Sequence, residues 1–311
     1  MSEQLVCVVT GASRGIGLAT AIALGRSGCD VALVSRDAKR GRAALDRVRE
    51  AGSVGAELIL ADLASQREVH ALAKSLRERY PRLHAIVHNA AVFTPVRLTT
   101  PDGFEMQFAV NHLAPFLLTY LLLDLLRASA SARVVVVASQ VERSGHIDFD
   151  DPMKTRHYDG LEAYQQSKLA NVMFTYDLAE RLSGSSLTVN ALHPGVVRTA
   201  LLEGIIATEQ KVSQRSASRR AILAVRGVAG RVFRRLIRPA PAGEPDWAVT
   251  PEAAAAAIVE LVMSPALDGV SGRFFKNGTP VATSEQSRDI ALRRRLWDLS
   301  VQLTGIPATY T

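Results

Sequence analysis

Residues Leu5 to Arg26 read LVCVVTGASRGIGLATAIALGR, and the rest of the chain is organised around them. Leu5 to Val9 is a short apolar run with the composition of a buried strand. Thr10-Gly11-Ala12-Ser13-Arg14-Gly15-Ile16-Gly17 follows, and Leu18 to Arg26 has a helical pattern. Strand, glycine turn and helix in that order form the context in which a glycine-rich stretch signals a dinucleotide site. Glycines permit the tight turn and let a pyrophosphate approach the backbone. The helix start then supplies free N–H groups and the positive end of the helix dipole. The spacing here is Gly-x-x-x-Gly-x-Gly rather than Gly-x-Gly-x-x-Gly.

Moving outward, a second apolar strand, Val31 to Val34, ends in Ser35-Arg36. A carboxylate at that point would favour NAD by binding the ribose 2′-hydroxyl. Arg36 stands there instead, with Asp37 one step late, and Arg14 in the glycine turn can join it. Two guanidiniums suit a 2′-phosphate, so NADP(H) is favoured over NAD(H). Further strands are expected at Glu57–Leu60, closed by Asp62-Leu63, and at His84–Val87, closed by His88-Asn89-Ala90-Ala91. A helix covers Gln66–Arg79 between them, and a longer one, carrying Asn111, spans about Phe104–Arg127. Arg133 to Ser139 is an unbroken apolar strand, as in a sheet covered on both faces. About twenty residues of loop, Gln140 to Gly160, come next. Leu187–Leu192 is a sixth strand, closed by His193-Pro194-Gly195. A last one is expected at Gly272–Phe275, after the Ala-rich helix beginning near Pro251. Strands separated by helices indicate a doubly wound parallel sheet with its ligand at the strands' carboxyl ends.

Leu161 to Leu182 reads as one helix without Gly or Pro, and places Tyr164 and Lys168 four residues apart on one face. A free phenol has a pKa near ~10. A cation beside it is expected to lower that value, making a group able to exchange a proton with a substrate oxygen. Such a pair alone is also common on solvated helices; it gains weight from the dinucleotide pattern upstream.

At 311 residues, 48% hydrophobic and 22% charged, the composition is that of a soluble globular protein. No run reaches the ~18 apolar residues of a membrane span. The N-terminus enters a strand pattern almost at once, with no signal or transit peptide pattern, and a cytoplasmic protein is expected. Cys7 and Cys29 make neither a disulfide framework nor a metal site, and are read as buried, inert thiols. The net charge of +7 comes from 31 Arg and 6 Lys against 30 acids. It concentrates in residues 211–238, where one Lys and eight Arg occur with no acid. Apolar residues there, from Ile222 to Ile237, fit amphipathic helices. Solvated lid arginines are the favoured reading; an anionic partner or a membrane surface are the alternatives. Nucleic acid is disfavoured for want of an aromatic platform or motif.

Together these motifs resemble the short-chain dehydrogenase/reductase family: Thr10-Gly11-x-x-x-Gly15-x-Gly17, Asp62, Asn89-Ala90-Ala91, Asn111, Ser139, Tyr164-x-x-x-Lys168, and Pro194-Gly195 with Thr199. Val110-Asn-His-Leu-Ala-Pro-Phe-Leu-Leu-Thr119, Ser167-Lys-Leu-Ala-Asn171 and Leu192-His-Pro-Gly-Val-Val-Arg-Thr199 are similar to its retinol dehydrogenase branch. The resemblance implies a single Rossmann-type domain of about seven strands in the order 3-2-1-4-5-6-7. Its core would be residues 5–200 and 250–276, with a helical substrate lid at about 200–248 and a C-terminal extension at 277–311. It implies a catalytic set of Asn111, Ser139, Tyr164 and Lys168. Tyr164 would move the proton, Lys168 would tune it and reach the nicotinamide ribose, Ser139 would hold the carbonyl, and Asn111 would support a water-linked proton path. Cofactor contacts would come from Gly11, Ser13, Arg14, Gly15, Ile16, Gly17, Arg36, Asp62, Leu63, Asn89, Ala90, Ala91, Pro194, Gly195, Val197 and Thr199, besides Tyr164 and Lys168. The bland alternatives are that Ser139 ends a strand, Asn111 is an interior polar group, Asp62 caps a helix and His193 packs structurally.

The expected activity is NADPH-dependent reduction of a ketone or aldehyde on a lipophilic or polycyclic small molecule, as in a biosynthetic tailoring ketoreductase. Retinol-type oxidation of an alcohol and a non-catalytic NADP(H) sensor are the alternatives. The N-terminal membrane anchor frequent among retinol dehydrogenases is not seen before the first strand, which disfavours a retinoid substrate. The resemblance also implies a homodimer through the Asn111 and Tyr164 helices, with Leu117, Leu118, Leu121 and Leu122 as apolar surface, or a monomer if the long loop before Tyr164 obstructs that contact.

Overall fold

The computed structural model describes residues 4–197 and 248–307. Seven parallel strands alternate with helices: β1 Val6–Thr10, β2 Asp30–Ser35, β3 Glu57–Leu60, β4 Ala85–His88, β5 Arg133–Val137, β6 Thr188–His193 and β9 Arg273–Lys276. Across the sheet they run β9-β6-β5-β4-β1-β2-β3, the expected Rossmann-type order. Two features lie outside that expectation. An eighth strand, β10 Thr279–Pro280, pairs antiparallel with β9 at the sheet edge. A separate ladder joins β7 Val196–Val197 to β8 Ala248–Val249.

Strand periodicity builds two cores. Val8, Ala32, Val34, Ile86, Val134 and Val136 point to one face, and Cys7, Val9, Val31, Leu33, Val87 and Val135 to the other. The first face is covered by α3 Gln66–Arg79, α4 Met106–Arg127 and α5 Gly160–Arg181. The second is covered by α1 Gly15–Arg26, α2 Ala38–Glu50 and α6 Pro251–Met263. Cys7 and Cys29 are buried in this second layer. The helices start where the sequence offers caps: Ser65 accepts from the Glu68 N–H at α3, and Thr250 from the Ala253 N–H at α6.

Three expectations about the helices are corrected. The long helix begins at Met106, capped by Glu105, and relaxes into a π-helical stretch over Ala109–Leu113, around Asn111. It is long and apolar enough to cross a membrane, but 83% of that window is buried, as for a core helix. Leu117, Leu118 and Leu122 are 0–1% exposed and so offer no apolar surface; only Leu121 reaches the outside in part. The C-terminal extension belongs to the core: α7 Glu285–Arg288 leads into α8 Ile290–Thr304, whose Trp297 packs on Phe116 of α4 and Phe174 of α5. The lid at about 200–248 and the arginine-rich 211–238 stretch lie outside the described residues, except for Ala248.

Candidate active site

All the parallel strands point their carboxyl ends to one edge, and the residues singled out from the sequence collect there. Gly11 has φ +68°, and a Cβ on it would sit 2.9 Å from the Ala90 Cα. Only glycine therefore lets the β1 turn press against the β4 turn. Thr10 and Asn89 lock the two together. The Thr10 hydroxyl accepts from the N–H groups of Asn89 (3.0 Å) and Ala90 (3.1 Å). The Asn89 Nδ2 donates to the Thr10 carbonyl at 2.9 Å and, more weakly, to that of Gly11 at 3.4 Å. Ala91 continues this half-buried turn.

Among the described α-helices, α1 alone begins without a side-chain cap; its N-cap is Arg14. The first-turn N–H groups of Gly15, Ile16 and Gly17 thus have no side-chain acceptor, while Ser13 lies half-buried beside them. Arg14 and Arg36 are exposed and pair with no carboxylate among the described residues. Asp37 is taken up elsewhere. It caps α2, accepting from the Arg40 N–H at 2.9 Å and the Arg40 Nε at 2.7 Å, and these bonds hold its carboxyl below the usual range. Asp62 forms a turn with the Ala64 N–H (3.0 Å) around Leu63 and does not cap α3, which Ser65 does. A glycine-lined turn beside an uncapped helix start, with two free guanidiniums at the adenosine end, fits a phosphorylated dinucleotide.

Past β6, Pro194 leads to Gly195 at φ +87°, whose Cβ would lie 2.6 Å from a Val249 methyl. Val197 is buried in the β7–β8 ladder. Thr199 lies outside the described residues. His193 ends β6; burial and Lys276 lower its pKa to about 4, leaving it neutral. That matches a packing role.

The four candidate catalytic residues are joined through α5. Asp159 starts this helix by accepting from the N–H groups of Leu161 (2.8 Å) and Glu162 (2.9 Å). Lys168 is 2% exposed, and its Nζ donates to the Val137 carbonyl at 2.9 Å. That bond fastens the helix to the end of β5, two residues before Ser139. Ser139 starts a 3-10 turn, Gln140–Ser144, in the stretch expected to be loop, and its Oγ accepts a long bond from the Val141 N–H (3.4 Å). Asn111 is fully buried. Its Oδ1 accepts from the Val92 N–H at 2.8 Å, and its Nδ2 donates to the Val92 carbonyl and the Ser167 Oγ, both at 3.0 Å. The side chain is therefore a brace between the β4 loop and α5.

Tyr164 is 6% exposed, with the Phe93 ring edge-on at 6.0 Å and the Lys168 Nζ 5.6 Å from its ring centre. The expected acidification is not found. Burial raises the Tyr164 hydroxyl above its ordinary value and pulls Lys168 down to about 8. Desolvation disfavours the charged form of each, and the ammonium bonds a carbonyl rather than the phenol oxygen. Phe93 was not foreseen as a neighbour of the site, and nothing in its spacing marks it; Ser167, quoted above within the Ser167–Asn171 stretch, was not foreseen as a partner of Asn111.

The pattern that matches a short chain dehydrogenase family covers residues 5–210. The chain belongs to the short-chain dehydrogenase/reductase family, on its retinol dehydrogenase-like branch, and is an oxidoreductase acting on CH–OH/C=O with a nicotinamide cofactor. It is 38% identical to retinol dehydrogenase 14 of Mus musculus over 312 residues, covering 96% of this chain and 85% of that one. Among solved structures it is similar to a protein of Mycobacterium paratuberculosis (TM-score 0.73, 28% identity, 99% and 96% coverage). It also resembles a Pseudomonas aeruginosa RhlG/NADP active-site complex (TM-score 0.64, 27% identity, 87% and 93% coverage).

Proposed function

We propose that the protein is an NADP(H)-dependent reductase of a ketone or aldehyde carried on a lipophilic molecule. The observation that carries this is the 2.9 Å bond from Lys168 to the Val137 carbonyl, which holds the Tyr164 helix against the strand end that leads to Ser139. When bound, the nicotinamide supplies the hydride. Tyr164 gives the substrate oxygen its proton in reduction and takes it back in oxidation, and the Ser139 hydroxyl holds that oxygen by a hydrogen bond. Lys168 brings a positive charge to the nicotinamide end of the cleft. Asn111 keeps α5 and the β4 loop in register. Arg14 and Arg36 hold the 2′-phosphate, an assignment supported by the commitment of Asp37 to Arg40 and α2. The similar Pseudomonas aeruginosa RhlG structure is an NADP complex as well.

The 38% identity to retinol dehydrogenase 14 supports a second reading, oxidation of a retinol-type alcohol by the same residues. Both readings are tested by following NADPH consumption with a panel of lipophilic carbonyl compounds, and NADP+ reduction with the matching alcohols. Tyr164→Phe is expected to lower kcat at least ~100-fold, the usual contribution of a positioned proton donor. Turnover of the phenylalanine variant at the wild-type rate would end the assignment. Arg36→Asp is expected to shift preference toward NADH, and an unchanged preference would remove the phosphate clamp.

A further inference from the structure

Away from this edge, a cleft of about 700 Å³ opens between the second half of α5, the amino-terminal ends of β6 and β9, and the β10–α7 segment. Tyr164 and Tyr176 are twelve residues apart on α5, so the cleft lies about 18 Å from the candidate proton donor at 1.5 Å per residue. We infer that this cleft is a second ligand site, which takes an organic anion, a carboxylate or phosphate monoester borne on an apolar body.

The cleft is lined by Arg273, Arg288 and Arg293, with Tyr176, Glu180 and Thr283. Its charges do not cancel. Glu180 is shared by Arg293 (3.1 Å) and Arg294 (3.8 Å). Arg273 and Arg288 pair with no carboxylate among the described residues; the Arg288 Nε reaches only the Ser284 carbonyl, at 3.4 Å. Glu142, whose field Arg288 also feels, has Arg143 as its ion-pair partner at 4.0 Å and accepts from the Ser284 N–H (3.0 Å) and hydroxyl (2.6 Å). Arg293 brings a third guanidinium to the cleft wall. Its side chain is 10% exposed and lies 5.9 Å from the Tyr176 ring, and its Nη2 donates to Glu180 at 3.1 Å. Glu180 offsets one of the guanidinium charges that line the cleft, and an oxyanion there would be drawn by the rest. The Tyr176 and Thr283 hydroxyls, 2.9 Å apart, bond each other and leave one O–H to donate beside it. Val281 supplies apolar surface in the wall, with the buried Leu187 and Phe274 behind it, which suits a ligand with a hydrocarbon body rather than a bare ion.

The test uses the full chain, with octanoate and octyl phosphate as probes and 1-octanol as the uncharged control, each followed by equilibrium dialysis. At least one anion is expected to bind saturably, octanol at least tenfold more weakly, and the better anion identifies the headgroup. Arg273→Gln/Arg288→Gln, which alters two exposed side chains outside the nucleotide cleft, should weaken anion binding at least tenfold while the Kd for NADPH stays unchanged. Retained NADPH affinity also shows that the variant is folded. Octanol binding as tightly as both anions, neither anion binding, or a double variant that binds them like the wild type would each overturn the proposal. Loss of reductase activity in any panel has no bearing on these outcomes, so the site and the proposed reaction fail separately.

Discussion

Lys168→Met isolates the energetic consequence of placing an ammonium under the candidate active site. Lys168 is 2% exposed, its one acceptor among the described residues is the Val137 carbonyl, and burial lowers its pKa from 10.5 to about 8. Below about pH 8 the folded and unfolded chains both hold the proton, and the native state bears the whole cost of the buried charge, about 3 kcal/mol for that gap. Between about 8 and 10.5 the unfolded chain keeps a proton that the native state has released. Stability contributed by this group therefore rises with pH through that window, most of it by pH 10. Methionine keeps the aliphatic stem and removes both the charge and the hydrogen bond, orphaning the Val137 carbonyl at about 1–3 kcal/mol. At pH 7 the two effects nearly offset, and the variant should lie within about 2 kcal/mol of the wild type. By pH 10 the wild type should gain between ~2 and 3 kcal/mol relative to the variant. Urea unfolding of both proteins without added cofactor, at pH 7 and pH 10, gives the difference directly, since other titrating groups are common to both. A difference that stays flat across that range would refute the buried-ammonium account.

Gly11→Ala places a methyl 2.9 Å from the Ala90 Cα at a φ of +68°; NADPH affinity, read from nucleotide fluorescence, should fall at least tenfold, and an unchanged Kd would show that the β1–β4 approach does not shape the cofactor turn. Asn111→Ala removes three hydrogen bonds and leaves the Val92 N–H and carbonyl unpaired, which should cost about 2–4 kcal/mol in urea; an unmoved midpoint would mean that the brace is ornamental. Trp297→Ala empties a buried site whose rings meet Phe116 at 4.8 Å and Phe174 at 6.2 Å, with an expected loss of about 3–5 kcal/mol. If α8 instead detaches without loss of stability, the C-terminal extension is not part of the core.

The order of the parallel strands was legible because most are short apolar runs closed by a polar turn, rich in Val and Ile in β1, β2, β4 and β5, and most of those turns carry the candidate site residues. The edge strand β10 had a signal that was passed over: Asn277 and Gly278, at φ +50° and +74°, make the Asn-Gly turn of a hairpin onto β9. Leu117, Leu118 and Leu122 were misread as surface because a helix apolar on most of its faces looks the same whether a partner or its own chain covers it. The cover is its own chain: α3 packs along the helix, and Trp297 of α8 meets it at Phe116. The phenol's acidity failed for a different reason. Spacing places a cation one turn away, yet it cannot say where the ammonium will point or how dry the surroundings are, and here dryness dominates. Asn111 lies against the Tyr164 helix, and its side chain braces the loop at Val92 and Ser167, contacts that are invisible from spacing.

Rigidity, more than charge, is what the chain invests in around Tyr164. One turn before it, Gly160 packs so close that a Cβ would meet the Thr94 carbonyl at 2.4 Å, and the Gly160 carbonyl accepts from Gln107 Nε2 at 2.9 Å. The same amide donates to the Tyr158 hydroxyl (2.8 Å), which in turn donates to Glu105, a buried carboxylate whose pKa burial raises. On the other side, Asn111 holds Ser167 and Val137 holds Lys168. Each fastening uses a buried polar group that would be costly if its partner moved, so none can slip alone. A proton donor needs its oxygen held within a few tenths of an ångström of the reacting atom. Buried polar contacts on both sides of α5's first two turns supply that constraint to Tyr164, and they account for the stability-costing ammonium of Lys168 and carboxylate of Glu105 in this part of the core.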